Sequence, residues 1–221
     1  MRPYVICHMV PSVDGRIVRV VSLRAILGVY DETAETLRAD AWIAGRVSME
    51  SYAGKAKPPK RAPRIPRVDY IANASAKSFG IALDPSGKLM WKSSAIDGDH
   101  IITILSERVS NNYLAYLRSK GVSYVFGGRR EIDVAKVLGK LRKQFGIRRL
   151  LLEGGGRING SFLAANVIDE LSLLIAPGAD GKVGEPALFD VEGRVSPFRK
   201  LRLIAMKRLK NDIVWLRYKF K

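Results

Sequence analysis

One run of this sequence could do chemistry with its backbone alone. Leu150-Leu151-Leu152-Glu153-Gly154-Gly155-Gly156-Arg157-Ile158-Asn159-Gly160 sets an acid and three glycines directly after three leucines. The leucines read as the end of a buried strand, the glycines as a sharp turn, and the stretch from Ile158 to Asn166 as the helix that follows. A strand, a glycine turn and a helix N-terminus together make an anion site. The helix dipole and its unpaired N–H groups attract phosphate, and missing Cβ atoms let it come close. A tight βα turn with no ligand has the same composition. Glu153 stands at the strand end, where its carboxyl group could face the same cleft. A second signature, Gly45-Arg46-Val47-Ser48-Met49-Glu50-Ser51, follows Ala41-Trp42-Ile43-Ala44. Arg46 could fork onto a phosphate and Ser48 could donate a hydroxyl hydrogen bond to one. An ordinary capped helix with a surface arginine would look alike. Two such signatures about 110 residues apart are nevertheless what a dinucleotide lying across strand ends requires.

The elements that must position these residues alternate. Tyr4 to Met9 is strand-like, and Ser12-Val13-Asp14-Gly15 closes it with turn chemistry. Asp31 reads as the N-cap of a helix through Leu37, before the strand Ala41 to Ala44. Val68 to Ala72 and His100 to Leu105 read as further strands. Ser110 caps a helix carrying Tyr113, Leu114 and Leu117, and Gly121 ends it. Val122 to Phe126 is a strand. Asp133 caps a helix with Val134, Val137, Leu138, Leu141 and Phe145 at helical spacing and Gly146 at its end. Arg148 to Leu152 leads to the glycine turn, and Leu171 to Ala176 follows its helix. Leu201 to Lys207 and Ile213 to Phe220 read as two antiparallel strands joined at Asn211-Asp212. The pattern predicts an α/β fold in one domain, residues 1–221. It would have a mostly parallel central sheet, helices on both faces and a C-terminal antiparallel hairpin.

Composition narrows the class. With 47% hydrophobic and 27% charged residues in 221, the chain can bury a substantial core. Every apolar run is far shorter than the roughly 20 residues of a membrane span, and the N-terminus lacks the form of a signal peptide. The expectation is a cytoplasmic enzyme with no membrane association. Cys7, the only cysteine, lies within a strand-like run. His8 and His100 also lie within strands, without a second ligand at metal spacing, so no metal site is expected. The net charge of +17, from 38 basic and 21 acidic residues, needs a cause. Between Lys55 and Arg67 lie six cations (Lys55, Lys57, Lys60, Arg61, Arg64, Arg67), no acid and four of the ten prolines. Such spacing excludes a regular helix and implies a mobile or polyproline-like loop. It could be a solvated surface loop or a lid, with Lys57, over a phosphorylated substrate. The loop has no aromatic residue for base stacking, which argues against single-stranded nucleic acid as the partner.

The motifs then carry a resemblance. Gly45-Arg46-Val47-Ser48-Met49-Glu50-Ser51 resembles the G-R-x-T-x-E-S motif of dihydrofolate reductases. Ser12-Val13-Asp14-Gly15, taken with Leu151-Leu152-Glu153-Gly154-Gly155-Gly156-x-x-Asn159, resembles the pyrimidine reductases of riboflavin biosynthesis, which share the dihydrofolate-reductase-like fold. Val167-Ile168-Asp169-Glu170-Leu171 and Ile175-Ala176-Pro177 match as well. The resemblance spans nearly the whole chain and is weak between residues 52 and 145. It implies an NADPH-dependent reductase, commonly a homodimer, that converts a ribosylamino-pyrimidine 5′-phosphate to the ribitylamino product. Gly154, Gly155, Gly156, Arg157, Ile158 and Asn159 would lie along the cofactor, and Gly45, Arg46 and Ser48 would hold another part of it. Ser75, after the expected strand Val68 to Ala72, would approach the adenosine end or serve only as a cap. Ser12 and Asp14 would border nicotinamide and substrate, or form a plain Asp-Gly turn.

The departures concern the substrate. Where these reductases follow the second strand with an acidic D-D-P-x-L-T-V-R-like segment, this chain has the basic, proline-rich Tyr52 to Arg67. Arg24, Ala25 and Ile26 stand where a tryptophan or polar residue is frequent. A dihydrofolate, pterin or other small-molecule reductase on the same fold is therefore an alternative, and a basic nucleic-acid-binding protein a remote one. Since a nicotinamide supplies hydride, the protein needs chiefly to align the reactants and provide a proton. Glu153 is the preferred proton source. Asp31 is its rival, on the helix where dihydrofolate reductases carry their active-site acid.

Overall fold

Strand-forming runs separated by capped helices produce ten strands and five α-helices among the described residues of the computed structural model, which are 1–17, 24–55, 57–191 and 198–221. The strands are β1 (Tyr4–Met9), β2 (Ala41–Gly45), β3 (Phe79–Leu83), β4 (Ala95–Ile96), β5 (Asp99–Ser106), β6 (Ser123–Gly128), β7 (Arg149–Leu152), β8 (Glu170–Ile175), β9 (Leu201–Arg208) and β10 (Val214–Phe220). The helices are α1 (Arg24–Thr36), α2 (Arg46–Met49), α3 (Asn111–Ser119), α4 (Val134–Phe145) and α5 (Gly156–Ala164). They belong to two compact units, Met1–Pro3 with Asp40–Arg148 and Tyr4–Ala39 with Arg149–Lys221.

In the first unit β2 runs parallel to β3, β3 to β5 and β5 to β6, while the short β4 turns back antiparallel on the start of β5. The core gathers Met49, Leu89, Trp91, Leu105, Tyr113, Leu114, Leu117 and Tyr124. Two of its polar groups are matched: the Trp91 indole N–H donates to Thr103 Oγ1 at 2.9 Å and the Tyr113 hydroxyl to the Leu89 carbonyl at 2.8 Å. The sequence pattern of α4 is realised closely. Asp133 accepts from the Lys136 N–H at 2.9 Å, Gly146 adopts the left-handed C-terminal conformation, and Val134, Val137, Leu138, Leu141 and Phe145 are buried. Each such side chain contributes about 1.5–3 kcal/mol of transfer free energy before entropy is counted.

In the second unit β1 lies parallel between β7 and β8, with Cys7 opposite Leu152 on one side and Leu171 on the other. The chain then reverses: β10 pairs antiparallel with β8, and β9 with β10, giving the expected C-terminal hairpin. Its connection includes a 3-10 turn, Lys210–Asp212. Glu170, nearly fully buried, is held by Arg217 and by the Tyr4 hydroxyl at 3.1 Å, which ties the hairpin to β1.

Three expectations change. Asp31 is not an N-cap but lies within α1, which is already helical at Arg24; Gly28 in the helix interior and the lack of an acid in the first turn hid the earlier turns. Val68 to Ala72 is not a strand beyond a single bridge from Tyr70 to Tyr124. Asp69 there is drawn instead to the Phe126 N–H, Lys140 and Gln144, and Val68 and Ile71 face solvent. The strand of that region is Phe79–Leu83, whose glycine, Gly80, admits the Trp42 ring at a distance a Cβ would reduce to 3.0 Å.

The basic segment, expected as a mobile or polyproline-like loop, forms no helix or strand among its described residues and is fastened along its second half. Ile65 joins the core, and its N–H meets Asn111 Oδ1 at 3.4 Å. Arg67 donates to the carbonyls of Glu107, Ile65 and Val109 and to Asn111 Oδ1, all within 2.9 Å. Asn112 reaches the Lys60 carbonyl at 3.2 Å. Residues 60–67 are thus strapped to the start of α3, and Ala56 lies outside the described residues.

Candidate active site

The β1–β7 register brings the C-terminal ends of these strands side by side, so the residues after Met9 and Leu152 share one end of the second unit. Gly154 has φ +76°, and a Cβ there would stand 2.7 Å from the Met9 side chain; both facts demand glycine. Gly155 precedes α5 with no side-chain cap, and its own Cβ would meet nothing nearer than Ile17 Cδ1 at 3.9 Å. Gly156 has no such room. A Cβ there would strike Asp190 Oδ2 and the Ala187 carbonyl, and one on Gly160 would strike the Asp190 backbone. The three glycines therefore do three things: Gly154 turns the chain, Gly156 admits the 187–190 segment, and Gly155 alone presents open space at the first turn of α5.

That segment is knitted to its neighbours. Asp190 donates its N–H to the Gly156 carbonyl at 2.9 Å and Leu188 to Gly15 at 3.2 Å, while Asn159 Nδ2 donates to the Leu188 carbonyl at 2.9 Å. Asn159 and Ile158 are buried, and Arg157 is exposed. Asn159 Oδ1 is buried with no hydrogen-bond partner among the described residues. Ser12 and Asp14 build the adjoining turn. Ser12 Oγ donates to Asp14 at 2.6 Å, and the Asp14 carboxylate also accepts the N–H groups of Asp180 and Gly181 at 3.0 and 2.8 Å. The Ser12 hydroxyl and these backbone donors hold the Asp14 carboxyl well below the usual carboxylate range.

Glu153, half-buried, follows β7 directly. Its side chain is hydrogen-bonded with the Tyr30 hydroxyl from α1, which lies 3.1 Å from the His8 carbonyl at the end of β1. Asp31, one position on and so about 100° around the helix, is exposed, its carboxyl raised by partial desolvation and by Glu35. Tyr30 is thus an α1 residue in contact with Glu153. Beneath Tyr30 lies His8, fully buried, its ring stacked on the Tyr30 ring at 4.3 Å, with Nδ1 2.9 Å from Ser172 Oγ. Burial pushes the His8 imidazole down to about 4.

The first unit holds the other candidates. Gly45 ends β2 in extended conformation, and α2 is only four residues long, continued by the 3-10 turn Glu50–Tyr52. Arg46 forms an ion pair with Glu50, and Ser48 is exposed. The register Gly45 to Leu83 sets Asp84, at the end of β3, on the strand beside Arg46. Asp84 is fully buried; Oδ2 accepts the Lys88 and Leu89 N–H groups at 2.6 and 2.8 Å, and Oδ1 has no partner among the described residues. Burial raises its carboxyl, against the pull of those donors and of Arg46. Sequence reasoning passed over Asp84, though Asp84-Pro85-Ser86-Gly87 after five apolar residues was a visible strand-end signal. Ser75 does not follow a strand as expected, since Val68 to Ala72 forms only the Tyr70 bridge. Ser75 is exposed and closes a turn on Asn73 Oδ1, at 3.0 Å from its N–H. Lys57 is exposed. The side chains of Arg24 and Ala25 lie outside the described residues.

Comparison with known proteins is consistent across sequence and fold. The family model described as the RibD C-terminal domain matches residues 3–215. The 2,5-diamino-6-ribosylamino-4(3H)-pyrimidinone 5′-phosphate reductase of Aquifex aeolicus is 27% identical, over 96% of this chain and 92% of the relative. A pyrimidine reductase-like protein of Corynebacterium diphtheriae has a similar fold, with TM-score 0.72, 20% identity and coverage of 99% and 92% of the two chains. Dihydrofolate reductase of Enterococcus faecalis also shares the fold, with TM-score 0.51, 10% identity and coverage of 99% and 96%.

Two outcomes test this geometry. His8 has a folded-state value below that of an unfolded histidine, so the unfolded chain binds more protons. Its stabilising contribution is complete above about pH 6.5 and is lost as pH falls toward 4. Between about pH 7.5 and about pH 5 the protein should lose about 2 kcal/mol that a His8→Gln variant does not lose, as measured by urea unfolding across pH. Among the glycines, Gly155→Val should leave the thermal midpoint nearly unchanged, whereas Gly156→Val should lower it by several degrees through displacement of residues 187–190. Equal midpoints for the two variants would contradict the division of roles.

Proposed function

The chain belongs to the RibD C-terminal domain family, and from that premise we propose that it is a nicotinamide-dependent reductase converting a ribosylamino-pyrimidine 5′-phosphate to its ribitylamino product. The observation that carries the reading is the open face of Gly155, two residues after Glu153, at the N-terminus of α5, where Gly155 supplies no side-chain cap. A Cβ would fill that face, and the first N–H groups of a helix have no intrahelical acceptor, so the place suits a phosphate of the cofactor. When bound, the reduced nicotinamide supplies the hydride. In net terms the conversion adds one hydride to C1′ and one proton, opens the C1′–O4′ bond and leaves O4′ as a hydroxyl.

The residues divide the remaining work. Gly155 and the backbone around Arg157 bind phosphate, while Ile158 and Asn159 support that turn from within. Glu153 provides the proton in this reading, and Asp31, exposed about 100° around α1 from Tyr30, is its rival. Ser12 and Asp14 border the substrate by fixing the turn that precedes Ile17, rather than through a free carboxylate. In the first unit Gly45 and Ser48 accompany Arg46, whose guanidinium would exchange Glu50 for the 2′-phosphate of NADPH; Ser75 keeps at most an outlying place near the adenosine. Residues 1–221 act as one reductase domain in this reading, in the cytoplasm. A homodimer is supported by β9, an edge strand that leaves Leu203, Ile204 and Met206 exposed. No helix among the described residues is long and apolar enough to cross a membrane.

The test is loss of the reduced-nicotinamide absorbance with purified protein and the ribosylamino-pyrimidine phosphate, with dihydrofolate run in parallel. Turnover of dihydrofolate alone would move the assignment to the pterin class. NADPH should bind more tightly than NADH, and Arg46→Ala should remove part of that preference, since a charge-assisted bond to phosphate is worth roughly 1.5–3 kcal/mol. Equal titrations of the two cofactors with the parent protein would refute the role of Arg46.

The basic strap generates a further expectation. Lys57, Lys60 and Arg61 are exposed on a segment whose second half is fastened to α3. They would attract a phosphorylated substrate as fixed charges rather than by closing over it. Replacing all three with glutamine should raise KM and leave NADPH affinity unchanged. The difference should shrink as salt screens charge beyond about 10 Å at 0.1 M. A KM indifferent to the triple substitution at low salt would remove the strap from substrate capture.

A further inference from the structure

The second unit contains a hydrogen-bonded line that the reaction chemistry above does not use. It begins at Trp215 on β10, whose indole N–H donates to Ser172 Oγ on β8 at 2.8 Å. Ser172 Oγ lies 2.9 Å from His8 Nδ1, and His8 Nε2 lies 3.3 Å from the Tyr30 carbonyl and 3.4 Å from Thr33 Oγ1. The direction of each bond can be deduced. The Tyr30 carbonyl can only accept, so the imidazole hydrogen is on Nε2. His8 is neutral where it is buried, so Nδ1 accepts, and Ser172 must donate to it while accepting from Trp215. One tautomer satisfies every partner.

The consequence falls on Tyr30. His8 grips this residue three times: through the Nε2 bond to its carbonyl, through the ring stack at 4.3 Å, and through its own carbonyl, which accepts from the Tyr30 hydroxyl at 3.1 Å. Thr33 Oγ1 adds a bond to the same Tyr30 carbonyl at 2.8 Å. The phenol oxygen is thereby fixed at the strand end where Glu153 stands, hydrogen-bonded with it. A phenol has one hydrogen and can also accept. Toward a Glu153 carboxylate it donates that hydrogen. Toward a Glu153 carboxylic acid it accepts, while its hydrogen rests on the His8 carbonyl. The same partner therefore serves both protonation states.

We infer that Tyr30 is a positioning residue for Glu153, clamped in place by His8 so that the acid can release and regain its proton without losing its hydrogen-bond partner. This role rests on the reading of Glu153 as the proton source. It also gives a purpose to the buried His8–Ser172–Trp215 line, an arrangement costly to bury unless every member is satisfied.

The experiment is a double-mutant cycle on the full chain, with Tyr30→Phe, Glu153→Gln and the pair. Phenylalanine keeps the stack on His8 and removes only the hydroxyl. Tyr30→Phe should lower kcat at least tenfold when Glu153 is present and less than twofold in the Glu153→Gln background, with the NADPH dissociation constant and thermal midpoint little changed. A readout without substrate accompanies it: the carboxyl infrared band that disappears in Glu153→Gln should shift in Tyr30→Phe. Equal-fold losses in both backgrounds, or an unshifted band, would overturn the positioning role. So would a fully active Tyr30→Phe beside an impaired Glu153→Gln, and that result leaves the acid reading intact. A Glu153→Gln enzyme as active as the parent would instead refute the acid reading, and the role of Tyr30 with it.

Discussion

The arrangement at the ends of β1 and β7 depends on one close backbone approach. Residues 187–190 lie so near the first two turns of α5 that neither Gly156 nor Gly160 could carry a Cβ without displacing Asp190. Hydrogen bonds fasten the approach: the Gly156 carbonyl accepts the Asp190 N–H, and the Leu188 carbonyl accepts from Asn159 Nδ2. The helix N-terminus is thereby held firmly on one flank while the Gly155 flank stays open. An anion site needs both conditions, since N–H groups that move with the ligand lose to water what they gain from charge.

The carboxylates show how environment assigns different tasks to one functional group. Asp14 is exposed yet strongly acidic, because Ser12 and two backbone N–H groups converge on it; it serves as a fixed negative fastener. Asp84 is buried, and that burial raises its carboxyl group against the pull of the Lys88 and Leu89 N–H groups, the Tyr113 hydroxyl and Arg46. Glu153 is half-buried and hydrogen-bonded with the Tyr30 hydroxyl, which His8 holds in place. All three acids have a hydroxyl neighbour, since Ser12 reaches Asp14 and Tyr113 reaches Asp84; they differ in burial and in how many N–H donors converge on them.

Much of this was legible in the residues. The strands β1, β2, β5, β7 and β8, the α4 helix with its Asp133 cap and Gly146 terminus, and the closing hairpin all follow from periodicity and turn chemistry, which are local. The glycine run was recognised as a turn before a helix, but the separate duties of its members were not, because they depend on Met9, Ile17 and Asp190. Phe79–Leu83 was hidden by the small Gly80 and Ala82, residues chosen for the Trp42 ring and for packing rather than for strand propensity. Val68 to Ala72 looked more strand-like, yet Asp69 binds the end of β6 and α4 through its side chain.

Tyr30 illustrates why the rest was out of reach. Nothing at position 30 distinguishes a tyrosine that supports a catalytic acid from one that fills a core, and its partners lie 22 residues earlier in His8 and far later in Glu153. The histidine is equally mute: within a strand it reads as a filler. Together they are not interchangeable with apolar residues of similar size. Replacing both His8 and Tyr30 by phenylalanine would preserve volume and stacking, but would leave Ser172 without its acceptor, Trp215 bonded to an underused hydroxyl, and the Tyr30 contact to Glu153 absent. A core that needed only packing would have no reason to bury three polar side chains in a line that ends at a strand-end acid. The polar line is therefore explained by what it holds in place, and that link becomes visible only when strand ends 145 residues apart in sequence, His8 and Glu153, are brought side by side by the β1–β7 register.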